Sequence, residues 1–226
     1  MKKIVIPIPF IILVCTCLIF ICGCLQESAY PAYRYTVEIN GLDHYSNQNI
    51  TEIYVPIPFM EGDALYNISS LRTGNDGWSA EQLKTEHGDM LSLKHESDNL
   101  TDINVTYMDW IINNKSVSQS MKNVEKNMVT PLSPVSTGST AHYSIYEPQA
   151  GSICQPANNY TSYIFIDNGI EALDNQNDTL EVFIHYDIFG GMDGGRSKFF
   201  QAEVHEVIPS GIKGWIPVTV WVSASK

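Results

Sequence analysis

Two segments near the C-terminal end carry residues that can bind a metal ion. His185 and Asp187 alternate with apolar residues in 179–189, and Glu203 and His205 share one parity in 198–208. If the two segments pair as neighbouring strands, their imidazoles and carboxylates form a ligand set for zinc or another transition metal. A slip of one residue in register would separate them, and the same residue types are typical of the solvent face of a hairpin. Both interpretations stay open at this stage.

Two loops supply oxygen atoms of the kind that calcium takes. Asp167-Asn168-Gly169 and residues 174–178 are rich in carboxylates and amides, which are calcium ligands. Their spacing does not match an EF-hand, and the same residues form ordinary turns. Calcium and zinc are therefore the cofactors that the sequence allows, and it requires neither.

Trp215 and Trp221 share one parity in the last predicted strand, opposite an apolar face. An exposed aromatic strip at these positions would stack on sugar rings or on a partner protein. Phe183, Phe189 and Phe199 also lie on the polar faces of their strands. The alternative is that the sheet is covered on both faces and that these rings belong to the core.

Motifs for covalent or phosphate chemistry are missing from the sequence. It contains no Gly-x-Ser-x-Gly elbow, no His-Glu-x-x-His and no Walker loop. The glycine run at 190–195 joins two strands and carries Asp193 instead of a phosphate-binding lysine. We therefore expect a non-enzymatic protein. Its formal net charge of −12 also argues against nucleic acid as a partner.

Strands predicted from period-two alternation must position these residues. They cover residues 33–42, 52–58, 82–86, 89–95, 103–112, 141–146, 160–167, 179–189, 198–208 and 213–223. Pro56 and Pro58 indicate an edge strand, because proline cannot donate a ladder hydrogen bond. His87-Gly88 predicts a two-residue hairpin turn with Leu91 and Leu93 inward.

The expected fold is an all-β antiparallel β-sandwich over residues 33–226, with an Ig-like architecture as one option. Turns at 190–195 and 209–211 join the last three strands into a meander. A long polar insertion at 113–141, in which 118–129 is a candidate helix, interrupts the pattern. It is either an excursion from one sandwich or a link between two β modules, 33–112 and 141–226.

The first 24 residues have the composition of an export signal. Lys2-Lys3 precede an apolar run, which ends in Ile21-Cys22-Gly23-Cys24. This ending resembles the lipobox of exported lipoproteins, which implies that Cys24 carries the lipid and that 25–32 is a tether. The alternative is an uncleaved membrane-spanning helix. Either way, the domain is expected outside the cell membrane.

Glycosylation sequons agree with an exported location. They lie at Asn49, Asn67, Asn99, Asn104, Asn114, Asn159 and Asn177, and act as acceptors only on an exported surface. With the lipobox-like ending, the acidic domain and the β pattern, the chain resembles uncharacterised surface lipoproteins of archaea, in particular of methanogens. This resemblance implies no catalytic residue.

The expected function is therefore that of a membrane-anchored, extracytoplasmic surface protein that binds a partner protein or a glycan in the cell envelope. Two alternatives remain. One is a metal-dependent hydrolase or metal-binding protein that uses the His185 and His205 cluster. The other is an accessory subunit of a membrane complex.

Overall fold

The computed structural model describes residues 31–47, 50–60, 63–64, 71–73, 77–96, 99–110, 129–134, 158–167, 170–173, 178–193 and 196–225. These ranges form antiparallel strands and one short 3₁₀ helix, Leu42–His44. The strands are β1 (Pro31–Asn40), β2 (Tyr45–Asn47), β3 (Thr51–Val55), β4 (Ile57–Met60), β5 (Asp63–Ala64), β6 (Arg72–Thr73), β7 (Trp78–Thr85), β8 (Gly88–His95), β9 (Ile103–Trp110), β10 (Val129–Ser133), β11 (Asn158–Ile166), β12 (Ile170–Ala172), β13 (Thr179–Asp193), β14 (Arg196–Pro209) and β15 (Gly214–Ser225). The expected all-β antiparallel fold is confirmed.

Ten of these strands form one large sheet. Its order is β6-β9-β1-β13-β14-β15-β11-β3-β8-β7, and two smaller ladders, β10-β4-β5 and β12-β2, accompany it. The last three strands are neighbours, as the meander predicts. Early and late segments of the chain share this sheet, because β1 pairs with β13 and β3 pairs with β11.

The large sheet folds over on itself. β1 and β3 are each third from opposite edges, so a flat sheet would hold them about 24 Å apart at the usual strand spacing. Yet the buried hydroxyl of Tyr35 on β1 donates a 2.6 Å hydrogen bond to the carbonyl of Pro56, which directly follows β3. The two halves of the sheet therefore face each other across one core.

Alternation along the strands fills that core. On β13 the inward residues Leu180, Val182, Ile184, Tyr186 and Ile188 are all buried, as predicted. On β15 Val218, Val220 and Val222 are buried and Ile216 packs against them. Residues of the other parity form the outer face of the sheet, and the candidate site residues of β13, β14 and β15 lie there.

Segment 52–58 is not an edge strand, so this prediction is wrong. The segment divides at Pro56 into β3, which lies between β11 and β8, and β4, which lies between β10 and β5. Pro56 falls between the two strands, where no ladder N–H is required. The register of β4 against β10 shifts between Phe59 and Ile57, which leaves Pro58 without an opposite residue.

Two predicted turns also differ from the structure. The first hairpin turns at Glu86-His87, one residue earlier than predicted, because Thr85 pairs with Gly88. Gly88 has φ 132°, a value that favours glycine. β13 runs through part of the predicted glycine turn to Asp193, with a register shift after Phe189.

The polar segment 113–141 contributes a strand that its composition did not predict. Leu132 of β10 is fully buried. The hydroxyl of Tyr160 accepts from the Leu132 N–H at 2.8 Å and donates to the Leu132 carbonyl at 2.9 Å. These two hydrogen bonds hold the segment against β11.

Several predictions concern residues outside the described ranges. These are the anchor 1–24, most of the tether 25–32, the candidate helix apart from Val129, and the strand 141–146. Pro31 and Ala32, expected in the tether, begin β1. No helix within the described ranges is long and apolar enough to cross a membrane.

Candidate functional site

One row of side chains crosses the outer face of the large sheet. It consists of successive cross-strand partners on β1, β13, β14, β15 and β11, namely Thr36, His185, Glu203, Trp221 and Asn159. Cross-strand partners have Cβ atoms about 4.5–5.5 Å apart, so each residue is adjacent to the next. We call this set the Trp221 row.

A compact ionic cluster lies beside this row. The Arg34 Nε atom is 2.8 Å from Asp187 Oδ2, and His185 Nε2 is also 2.8 Å from that oxygen. The His185 and Asp187 side chains are 13% and 19% exposed, so solvent screens this contact only in part. When His185 donates from Nε2, a neutral ring keeps Nδ1 as an acceptor. The cluster fixes the orientation of the imidazole.

Glu203 links the ionic cluster to Trp221. Its Oε2 atom accepts a 3.1 Å hydrogen bond from Gln201 Nε2 and lies 3.9 Å from His185 Nδ1. The Glu203 side chain is 40% exposed, and in the described part of the chain no hydrogen bond reaches its Oε1 atom. Glu203 therefore presents a carboxylate oxygen to solvent next to an indole.

The four candidate metal ligands share one outer face but divide into two groups. His185 and Asp187 turn toward Arg34, whereas His205 Nε2 is 2.8 Å from Glu181 Oε1 on the exposed side of the hairpin. Phe183 contacts both imidazoles, with ring centroids at 6.0 Å and 6.2 Å. Among the described residues, no group of three or more His, Cys, Asp or Glu is placed to hold a metal ion.

Trp215 and Trp221 differ in environment although they share one strand face. They are six positions apart, which is about 20 Å along a strand, so they do not form one patch. Trp221 is 43% exposed, and no ring within the described ranges stacks on it. Trp215 is half-buried against Phe165 and His87, with centroids at 5.0 Å and 4.5 Å. The open aromatic surface is therefore at Trp221.

The rings around Trp215 form a structural cluster over β3, β11 and the β7–β8 turn. Tyr54 stacks on Phe165 at 4.8 Å, and His87 stacks on Tyr163 at 4.0 Å. Burial, the hydrogen bond to Glu52 and the charge of that carboxylate raise the pKa of Tyr54 to about 12. The Tyr54 phenol therefore stays neutral to a higher pH than a tyrosine with the ordinary pKa of 10.0.

Lys94 continues this cluster on β8. It lies 3.3 Å from Glu52 and also forms an ion pair with Glu81. These hydrogen bonds raise the pKa of the Lys94 ammonium. Lys94, Glu52 and Glu81 pair with one another, which is typical of a structural ion-pair network.

The other predicted sites are described only in part. Asn99, Asn104 and Asn159 are exposed, whereas Cys24, Asn49, Asn67, Asn114 and Asn177 lie outside the described ranges. In the two candidate calcium loops only Asp167 and Asp178 are described. The Asp167 N–H donates to the carbonyl of Glu52 on β3, and the Asp178 carbonyl accepts from the N–H of Ser210 in the β14–β15 turn.

Comparison with protein-family models, curated proteins and solved structures finds no match to this chain. Function is therefore inferred from the sequence and from the site. Arg34 is the site residue that the sequence did not single out. It is 153 positions from Asp187, and alternation within β1 gives no information about which strand lies beside it.

Proposed function

We propose that this chain is a non-enzymatic surface protein of the cell envelope that binds a neutral glycan on the Trp221 row. The observation that carries the proposal is a 43% exposed indole directly opposite the carboxylate of Glu203. A sugar ring has one apolar face and a rim of hydroxyls. An indole stacks on the apolar face, and neighbouring polar side chains bind the hydroxyls.

The neighbours of Trp221 favour a sugar over an apolar protein patch. Glu203 and Gln201 supply an acceptor and an amide, and His185 supplies a ring nitrogen held in place by Asp187. The ionic cluster orders these groups before a ligand arrives, which lowers the entropic cost of binding. A protein-docking surface is depleted in charged residues at its centre, whereas this one has a carboxylate there.

The charge of the chain favours neutral sugars. The formal net charge is −12, and loss of Lys2 and Lys3 with a signal peptide would remove two positive charges and make it −14. Arg34, the cation at the site, is already paired with Asp187. Uronic and sulfated sugars would be repelled.

The envelope location is supported by the N-terminal sequence and by the exposed sequons. Lipid at Cys24 would hold the domain at the outer face of the membrane, and the alternative apolar helix would hold it on the same side. The exposure of Asn99, Asn104 and Asn159 is compatible with glycosylation. An accessory role in a membrane complex would use the same anchor.

Binding of the unglycosylated full-length chain, in non-ionic detergent, to immobilised neutral and anionic oligosaccharides tests the proposal. Trp221→Ala removes an indole contact worth about 1.5–3 kcal/mol, so we expect about a tenfold or greater loss of affinity. Ile212→Ala is the matched control, because Ile212 is 46% exposed in the β14–β15 turn but lies away from the Trp221 row. This control should bind as the wild type does.

Three results would overturn the proposal. They are the absence of binding to any oligosaccharide, an equal loss in Ile212→Ala, and preferential binding to anionic sugars. Capture of a defined envelope protein that depends on Trp221, without sugar binding, would replace the glycan by a protein partner.

A further inference from the structure

We propose that Asn159 carries an N-linked glycan whose first sugar covers Trp221, so that the modification controls access to the binding face. The attachment and the contact stand independently of ligand binding. The control of access rests on the proposed function.

Geometry places the acceptor beside the indole. Asn159 is exposed and Tyr160 is buried, so Asn159 projects from the outer face of β11. Its register partner on β15 is Trp221. At a Cβ separation of about 4.5–5.5 Å, a sugar on the Asn159 amide nitrogen lies beside the indole.

Among the described sequons, this arrangement is specific to Asn159. Asn104 is exposed on the same face but pairs with Glu38, and Asn99 bridges to Ser46. Neither partner offers an aromatic surface. A glycan at either position therefore has no aromatic register partner among the described residues, whereas one at Asn159 lies opposite Trp221.

The attachment is a group transfer from an activated oligosaccharide donor, a lipid-linked phosphate or pyrophosphate sugar. The Asn159 amide nitrogen attacks the anomeric carbon, so that one C–N bond forms while the C–O bond to the lipid phosphate breaks. The amide loses one proton, and the lipid phosphate leaves with its electron pair. No oxidation or reduction takes place.

Tethering makes the attached sugar an effective competitor. A group held by a short link has an effective concentration on the order of millimolar. It occupies the indole whenever the free ligand is scarce or binds weakly. The unmodified protein therefore has an open Trp221, and the glycosylated one has a covered Trp221.

The test uses the full-length chain produced in an N-glycosylating secretory host. Mass spectrometry measures occupancy of Asn159, and acrylamide quenching of tryptophan emission measures access to Trp221. Thr161→Val removes this sequon, and Thr106→Val is the matched control, because it removes the Asn104 sequon on the same face. Trp221→Phe identifies the part of the emission that comes from Trp221.

We expect an occupied Asn159, and quenching that increases in Thr161→Val and after endoglycosidase treatment but not in Thr106→Val. Trp221→Phe should abolish the increase. Glycosylated wild type should bind neutral oligosaccharide about tenfold more weakly than Thr161→Val. An unoccupied Asn159, or equal quenching of Thr161→Val and wild type, overturns the inference.

The two proposals fail separately in this experiment. If Thr161→Val exposes Trp221 but no form binds free oligosaccharide, the covering glycan is supported and the sugar-binding function is lost. If sugar binding depends on Trp221 but Thr161→Val changes neither quenching nor affinity, the function is supported and the covering glycan is refuted.

Discussion

Replacing Gly41 by alanine tests how firmly the end of β1 is held against the start of β13. Gly41 follows β1 with φ 90° and ψ 5°. A Cβ atom at this position would lie 2.6 Å from the carbonyl oxygen of Thr179, the first residue of β13. The β1–β13 pairing also places Arg34 beside Asp187, so the substitution acts on the framework of the candidate site.

The expected loss of stability has a conformational part and a steric part, and a second glycine separates them. An L-residue in the left-handed conformation costs about 1–2 kcal/mol, and relief of the close contact adds about 1–3 kcal/mol. Gly211 has φ +83° with no atom within 4 Å of its virtual Cβ, so Gly211→Ala carries only the conformational part. Restriction of the unfolded chain offsets about 0.4–1 kcal/mol in both variants.

We therefore expect Gly41→Ala to lower the free energy of unfolding by about 2–4 kcal/mol and Gly211→Ala by about 1 kcal/mol. Urea titration of the full-length chain in non-ionic detergent, followed by tryptophan fluorescence, measures both. The denaturant slope should stay unchanged, since the same surface is exposed on unfolding. Equal destabilisation by the two variants would refute the close approach of Gly41 to Thr179.

Three further contacts are tested by substitution in the same urea assay. The pKa of Tyr54 is raised to about 12 in the folded protein from 10.0, so its stabilisation is complete below pH 10 and is lost as the pH rises toward 12. We expect the free energy of unfolding to fall by about 1 kcal/mol over this pH range after solvent screening, and Tyr54→Phe should abolish this fall. If the wild-type free energy of unfolding does not change with pH in this range, the raised pKa is contradicted. Tyr35→Phe should cost about 1–2 kcal/mol, because the buried Pro56 carbonyl loses its donor, and a neutral result would contradict the contact across the folded sheet. Asp187→Asn should lower the free energy of unfolding by about 1–2 kcal/mol, because Arg34 and His185 lose their carboxylate partner. In the control Asp43→Asn, at a position 64% exposed, the loss should be less than about 0.5 kcal/mol. Equal losses would show that the ionic cluster does not stabilise the fold.

Local alternation was enough to predict the faces of the strands. Apolar residues at every second position of β13 bury five side chains, and the same rule assigned His185 and Glu203 to the outer face. Period-two patterns depend only on side-chain direction in an extended chain. This is why the strands and the shared parity of the site residues could be predicted.

Pairing between distant strands could not be predicted in the same way. Arg34 reaches Asp187 because β1 lies beside β13, and nothing local to β1 specifies that neighbour. β10 was missed because its polar composition concealed the buried Leu132, which is held by Tyr160 from β11. Both contacts join residues that are far apart in the sequence, so no local pattern specifies them.

The two tryptophans show the same limit at the candidate site. Trp215 and Trp221 have equal parity and similar sequence surroundings, so alternation treats them alike. Trp215 is covered because Phe165 and His87 come from other strands and turns. Trp221 has Glu203 and Asn159 as neighbours instead, and its indole stays open.

The most direct test of the sugar-binding claim is the NMR spectrum of the indole N–H groups during titration with a neutral oligosaccharide. The chain has four tryptophans, and Trp221→Phe assigns the resonance of interest. The unglycosylated full-length chain should show a saturable shift of the Trp221 resonance, while that of the buried Trp78 stays in place. A titration that leaves the Trp221 resonance unmoved, or that shifts only the Trp215 resonance, would contradict a glycan site on the Trp221 row.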